Sequence, residues 1–171
     1  QNNVKALADF DREMTQVKVI TNSTKAEMKV FEQSALNIGS TTRYAATEVA
    51  KLQLEFGRLG FSTREILLST KATLDLATAT GENLPRAAEI AGATLRGFNL
   101  DASEMGRVTN VMAKALNESA LTLDSFADGM KYVAPVATAV GVSIEETSAM
   151  LSVLSDAGIK GTMAGDRKSV V

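Results

Sequence analysis

Apolar side chains form a regular stripe along the N-terminal part of the chain. The stripe consists of Leu7, Phe10, Met14, Val17, Thr21, Thr24, Met28, Phe31, Ala35 and Ile38. Its spacing alternates between three and four residues, which is the period of a coiled-coil seam. We therefore predict an extended coiled-coil-like helix over residues 1–39. Because Thr21 and Thr24 are weak seam residues, we expect a local loosening or a short break between them.

This stripe has two interpretations. In the first, which the long unbroken spacing favours, it is a self-association seam that joins copies of the chain. That seam would consist of Leu7, Phe10, Met14, Val17, Met28, Phe31, Ala35 and Ile38. In the second, the same side chains are the buried face of an amphipathic helix that packs on its own domain.

The rest of the chain carries the signals of several shorter helices. Residues 40–60 are predicted to form a connecting helix that ends at Gly57 and Gly60. Residues 61–165 then contain a series of N-cap signals, at Ser62, Asn83, Asp101, Thr122 and Ser143. The steps from 62 to 83, from 101 to 122 and from 122 to 143 are each 21 residues. This regular spacing predicts an array of capped helical hairpins over residues 61–165.

Three further positions predict where helices bend or end. Pro135 lies inside an apolar helical pattern, so a kink or break is expected just before it. Gly158 is predicted to end the last helix, with Ile159 folding back on Leu154. Residues 161–165 are expected to form a loop, and residues 166–171 a frayed tail.

Composition supports an all-α fold: an N-terminal long coiled-coil-like helix followed by a multi-helix array of capped helical hairpins. Apolar residues make up 45% of the chain, aromatics only 5%, and there are just two prolines. Alanine and leucine are strong helix formers, and small side chains let helices approach closely. The longest nearly apolar run, residues 132–142, is too short to span a bilayer as a helix. Because the chain begins with Gln1 rather than Met, we expect it to be part of a longer polypeptide.

Charge and chemistry exclude several functions. The net charge is −2, from 18 basic and 20 acidic residues without strong clustering, so no specific nucleic-acid binding is expected. The chain contains neither Cys nor His, which excludes disulfides and thiolate or imidazole metal sites. Serine nucleophiles have no histidine base. We therefore predict no enzyme activity, no catalytic or metal-binding residues and no cofactor.

Several segments together resemble phage tail tape measure proteins. They are AATEVAKLQLEFGRLG at 45–60, TLDLATATG at 73–81, APVA at 134–137, GVSIEE at 141–146 and LSDAGIKGTMAG at 154–165. Their order and spacing carry the resemblance, which covers roughly residues 25–165. The sequence departs from the family pattern at Asp166, where a further helix usually continues.

The resemblance implies a structural and assembly role rather than catalysis. Proteins of this family set tail length by their helical length and occupy the tail tube until DNA ejection. The implied partners are tail tube and tail-tip or baseplate proteins, tail assembly chaperones and further copies in a homo-oligomer. Any membrane contact is confined to ejection. The implied location is the virion tail, assembled in the cytoplasm of the bacterial host.

Two other functions fit an all-helical chain without catalytic residues. One is a helical protein-binding adaptor module, which an exposed Met or Phe groove and a monomeric state would favour. The other is a membrane-active helical segment that aids genome delivery, for which residues 132–142 are the segment to test.

Overall fold

A computed structural model describes the backbone of residues 2–168 and the side chains of residues 3–158. This part of the chain folds into eight α-helices and one short 3-10 turn, without strands. The helices are α1 (Asn2–Thr21), α2 (Lys25–Thr41), α3 (Ala46–Arg58), α4 (Thr63–Thr80), α5 (Leu84–Gly97), α6 (Met105–Glu118), α7 (Leu123–Val140) and α8 (Ile144–Lys168), and the 3-10 turn (Ala102–Glu104) directly precedes α6. The all-α fold class predicted from the sequence is confirmed.

The helices form two layers, because each helix packs beside the helix two positions further along the chain. One layer contains α1, α3, α5 and α7, and the other contains α2, α4, α6 and α8. Neighbours within a layer are parallel. Arg86 at the start of α5 contacts Asp124 at the start of α7, and Thr138 near the end of α7 donates to the carbonyl of Gly97 at the end of α5. Consecutive helices run in opposite directions and form hairpins.

One hydrophobic core lies between the layers and extends along the array. Its largest fully buried side chains include Phe31, Phe56 and Phe126. Phe56 stacks on Phe61, with the ring centroids 5.0 Å apart. Small alanine side chains on α5 let the neighbouring helices approach closely. The core continues across residues 39 and 60, where the sequence predicted divisions of the chain.

The N-terminal segment differs from the single extended helix predicted over residues 1–39. It contains two helices, α1 and α2, which are separated at residues 22–24. Asn22 adopts a positive φ of 51°, a conformation that no helix interior allows. Thr24 then caps α2, accepting from the Glu27 N–H at 3.2 Å while the Glu27 carboxylate accepts from the Thr24 N–H at 2.8 Å. The weak seam positions therefore coincide with a turn.

The kink predicted before Pro135 does not interrupt the helix, since α7 continues from Leu123 to Val140. Pro135 lacks an N–H, so the carbonyl of Lys131 loses its helical partner. Both residues are exposed. Water can therefore satisfy that carbonyl, and the helix tolerates the proline.

The last helix continues beyond the end predicted at Gly158. The backbone of α8 is helical to Lys168, so residues 161–165 are helix rather than loop, and residues 166–168 form its last turn. A glycine ends a helix when it takes the left-handed conformation, as Gly81 and Gly141 do with φ of 72° and 75°. Gly158 stays helical instead, at the modest cost of a glycine in a helix interior. The predicted Ile159 contact and the end of the tail, residues 169–171, lie outside the described residues.

Candidate assembly surfaces

The predicted seam packs within the chain itself. Six of its side chains are buried in the core, namely Phe10, Met14, Val17, Met28, Phe31 and Ala35. Ile38 is half-buried, whereas Leu7 is exposed near the start of α1. The helices that carry these residues both pack against α3 rather than extensively against each other. As a seam between copies of the chain, these residues remain a prediction.

Helix α3 lies at the centre of this packing because its sequence allows close approach on two sides. A Cβ at Gly57 would lie 2.9 Å from Cγ2 of Thr21, so α1 reaches the backbone of α3 at that point. On the other side, Nε2 of the fully buried Gln53 donates to the carbonyl of Phe31 at 3.1 Å. A buried amide needs such a partner, so this hydrogen bond fixes α2 against α3.

The five predicted N-cap residues all lie at the start of helical segments. Ser62, Thr122 and Ser143 accept from the backbone N–H three residues later, at the starts of α4, α7 and α8. Asn83 accepts in the same way from the Arg86 N–H at 3.1 Å, at the start of α5. Asp101 accepts from the Ser103 N–H at 2.9 Å and begins the 3-10 turn that leads into α6. The caps lie on separate helices, so no two of them combine into one chemical site.

The cap of α4 also connects two helices. The Ser62 N–H donates to the Glu65 carboxylate at 2.8 Å, and the Arg96 guanidinium at the end of α5 binds the same oxygen at 3.1 Å. The backbone hydrogen bond from Ser62 is the main reason that the pKa of Glu65 lies below its ordinary value, and Arg96 lowers it further. Arg96 also stacks over the Phe61 ring at 4.2 Å. This contact joins the start of α4 to the end of α5.

Arginine–carboxylate pairs link parallel neighbours in both layers. Arg86 on α5 binds Asp124 on α7 at 2.7 Å, and Arg107 on α6 binds Glu145 on α8 at 2.6 Å. In each pair the partners are 38 residues apart in the sequence. Hydrogen bonds from Arg107 lower the pKa of Glu145 to about 2. These pairs were not predicted from the sequence, although the N-caps of parallel helices recur at a similar distance along the chain.

Large apolar side chains are exposed on α1 and α2 at the N-terminal end of the array and on α7 and α8 at its C-terminal end. Those on α7 and α8 are Tyr132, Val136, Val140, Met150, Val153 and Leu154. Three of them, Tyr132, Val136 and Val140, lie in the nearly apolar run at 132–142. A groove of about 400 Å³ separates α5 from α7, and Ile90, Met130 and Ala134 contribute to its lining. These surfaces are suited to packing against other helices.

Side chains suited to other chemistry are not grouped in the described residues. No cluster of three or more carboxylates there is arranged to hold a metal ion. Nor does any helix in that part of the chain combine the length and apolar character needed to cross a membrane.

Comparison with known proteins identifies the family. The sequence profile of the family described as phage-related minor tail protein matches residues 32–167. The chain belongs to this family. The match begins within α2 and extends almost to the end of α8, so it includes most of the helical array.

Three curated relatives share similarity along most of the chain. A tape measure protein of Pneumococcus phage Dp-1 is 35% identical over 95% of this chain and 14% of its own length. A probable tape measure protein of Escherichia phage P2 is 30% identical over 92% of this chain and 20% of its own length. A probable tape measure protein of Clostridium phage phiCD119 is 25% identical over 85% of this chain and 16% of its own length. The chain thus spans at most a fifth of these relatives, and no solved structure matches it significantly.

Proposed function

We propose that this chain is a segment of a phage tail tape measure protein. The whole protein is a structural and assembly component whose helical length sets the length of the tail. It occupies the tail tube until DNA ejection. The observation that carries this proposal is the similarity to the tape measure protein of phage Dp-1 along 95% of the chain. The family membership and the all-helical fold support the same role.

The fold favours a compact module within that longer protein. An extended α-helix advances about 1.5 Å per residue, so its length measures distance directly. In the array, by contrast, each further pair of helices lengthens a layer by only about 8–10 Å, the distance between packed helices. The folded array therefore adds much less length per residue than an extended helix does. It is better suited to initiating assembly, docking at the tail tip or unfolding during ejection.

The partners follow from this role. They are tail tube and tail-tip or baseplate proteins, tail assembly chaperones and further copies of the same protein in a homo-oligomer. We infer a structural rather than a catalytic role for the module, in keeping with its family. Its place is the phage tail, assembled in the cytoplasm of the bacterial host, and any contact with the membrane is confined to ejection.

A pair of deletions tests both parts of the proposal in a phage that encodes the full-length protein. Removing residues 62–100 takes out α4 and α5, one unit of the array. Tails should shorten by about 60 Å if the unit is an extended helix, and by about 10 Å or less if it is folded. The measurement is tail length by electron microscopy, and the folded array predicts the smaller change. The control deletion removes a helical stretch of equal length from elsewhere in the polypeptide and should shorten the tail by the full amount.

Tails of normal length after both deletions would exclude a length-setting role for the protein. A change of about 60 Å from the deletion at 62–100 would instead show that the array is extended in the tail. Hydrogen exchange on the isolated chain gives a second test of the compact module. Amides of α3, α4 and α5 should exchange far more slowly than those of an unstructured peptide.

A further inference from the structure

The apolar stripe of α1 and α2 is part of a longer pattern along the chain. Counting alternately three and four residues from Leu7 gives a single heptad frame that continues to Leu154, over about 21 heptads. Only one charged residue, Asp101, occupies an a or d position of this frame, whereas charged residues make up 22% of the chain. The other positions hold apolar side chains, Thr, Ser and one Gly, without any Asn, Gln or Pro.

Each of the eight helices buries residues of this one frame. One buried a or d residue from each helix, in chain order, is Phe10, Phe31, Phe56, Ile66, Leu84, Met105, Phe126 and Thr147. The turns between the helices contain three or four residues, and none of them shifts the frame. If the helices only had to pack separately, a turn longer or shorter by one residue would leave every apolar face intact. A frame kept across all the turns is required only of one continuous helix.

We propose that the chain has a second folded form, in which the turns become helical and the a and d positions form one continuous seam. This seam pairs with the seams of further copies of the chain, and the array is the packed form of the same helices. In the extended form, residues 7–154 span about 220 Å. The inference rests on the proposed function, because it gives this segment a form in which the number of residues sets a length.

The turns and the number of copies decide which form is stable, because both forms bury the same side chains. Five residues with positive φ each lie in a turn, where they stop the helix, namely Asn22, Gly60, Gly81, Asn99 and Gly141. The seam is only moderately apolar, since Thr occupies ten of its positions. The array is therefore the form of the isolated chain, whereas association with further copies shifts the equilibrium toward the extended form.

The buried threonines of the frame are compatible with both forms. Thr70, Thr73 and Thr94 each donate to the carbonyl four residues earlier in their own helix, at 2.8, 2.9 and 2.7 Å. These hydrogen bonds do not depend on a neighbouring helix, so they persist when the neighbour changes. Gln53, by contrast, binds the Phe31 carbonyl of another helix and lies outside the a and d positions. The buried hydroxyls of the seam therefore do not restrict the helices to one set of partners.

Replacing the five turn residues with alanine provides the first test. Alanine disfavours the left-handed conformation and is the best helix former, so the combined variant should favour helix through all five turns. We expect this five-alanine variant of the complete 171-residue chain to form an elongated oligomer with undiminished helix content. Sedimentation velocity and small-angle X-ray scattering measure its mass and shape, and circular dichroism measures its helix content.

Two glycines inside helices provide the matched control for these substitutions. Gly106 lies in α6 and Gly158 in α8, and a Cβ at either position would meet no atom within 4 Å. Gly106→Ala with Gly158→Ala therefore raises helix propensity without acting on a turn. This control should keep the compact shape of the wild-type chain.

Two adjacent residues of α8 test the seam itself. Leu154 lies on the frame and Val153 does not, although the two are 67% and 66% exposed in the array. Leu154→Lys and Val153→Lys should therefore both leave the array of the wild-type chain folded. In the five-alanine background, Leu154→Lys should weaken association at least tenfold, because it places a charge in the seam, whereas Val153→Lys should not. Val136→Lys on the frame and Tyr132→Lys beside it repeat the comparison on α7.

Three results would overturn the proposal. They are a five-alanine variant that remains a compact monomer, one that loses its helix content, and lysine substitutions that weaken its association equally on and off the frame. None of these measurements depends on tail length, which the deletions described above test separately. A failure of the second folded form is therefore distinguishable from a failure of the length-setting role.

Discussion

Helices α3 and α7 belong to the same layer and contrast in how deeply they are buried. Helix α3 is the less apolar of the two, with Thr47, Glu48, Lys51, Gln53 and Glu55 along its length. Yet it has neighbours on both sides, and its buried residues include even the amide of Gln53. Helix α7 contains the apolar run at 132–142, but within the described residues it has a layer neighbour on one side only, and three large side chains of that run are exposed there.

The contrast shows that burial follows from position in the array. Hydrophobicity alone would place α7 at the centre and α3 nearer the surface. The number of parallel neighbours reverses that order, because a helix between two others loses most of its surface whatever its composition. Stability should therefore depend most on α3, whereas α7 should tolerate changes that α3 does not.

The largest expected effect comes from truncating the centre of α3. Phe56→Ala removes a fully buried ring that stacks on Phe61, and such changes typically cost about 3–5 kcal/mol of unfolding free energy. Val136→Ala on α7 should change the free energy of unfolding by less than about 0.5 kcal/mol. Urea unfolding followed by circular dichroism measures both. Equal losses for the two variants would show that α7 is as central as α3.

Two glycines in the same layer sharpen the comparison. Gly92→Ala on α5 would bring the new Cβ to 2.5 Å from Cδ1 of Leu59 and 3.2 Å from the buried Phe56 ring. We expect a loss of about 1–3 kcal/mol, since a well-packed core cannot accept the methyl group. At Gly129 the new Cβ would meet only the end of the Leu151 side chain, which is half-buried and able to move. Gly129→Ala should be neutral or stabilising by up to about 1 kcal/mol.

Thermal unfolding of the two glycine variants is the measurement. A stabilised Gly92→Ala variant would mean that α3 and α5 are farther apart than the array requires. A strongly destabilised Gly129→Ala variant would mean that the C-terminal end is packed as tightly as the centre.

Helix caps should contribute similarly to the free energy of unfolding at the centre and at the C-terminal end of the array, because each cap acts on its own helix. Ser62→Ala on α4 and Thr122→Ala on α7 each remove the side-chain acceptor of one backbone N–H. Each should cost about 1 kcal/mol, whatever the burial of the helix. Chemical denaturation of both variants checks this. A difference of several kcal/mol would show that the caps depend on the array, for example through the contact of Glu65 with Arg96.

The smallest effect concerns acid stability at the exposed pair of Arg107 and Glu145. Because the pKa of Glu145 is lowered from 4.5 to about 2, its contribution is present above pH 4.5 and is lost as the pH falls toward 2. Glu145→Gln should flatten the pH dependence of unfolding in that window. At neutral pH we expect the exposed pair to contribute no more than about 1 kcal/mol to the free energy of unfolding. In an Arg107→Gln background, Glu145→Gln should have little further effect.

Much of the local structure was predictable from the sequence, because helix starts depend on nearby residues. Ser62, Asn83, Thr122 and Ser143 each lie at the start of a helix because a short polar side chain there satisfies a free N–H. The weak seam positions around Thr21 and Thr24 likewise coincide with the turn after α1. These signals require no knowledge of the neighbouring helices.

The arrangement of the helices was not predictable in the same way. The periodic stripe of α1 and α2 indicates an apolar face, but the pattern is the same whether that face meets another copy or α3. The end of α8 was placed too early, because a glycine is compatible with both a stop and a continued helix. The burial of Gln53 was likewise not predictable, since a glutamine is fully buried only where another helix supplies a carbonyl to its amide.

The antiparallel relation between the two layers has an electrostatic consequence. Every α-helix carries a dipole equivalent to about half a positive charge at its start and half a negative charge at its end. In this array, the starts of one layer lie beside the ends of the other, so the dipoles of each added pair cancel. The long-range field therefore does not grow with the number of helices.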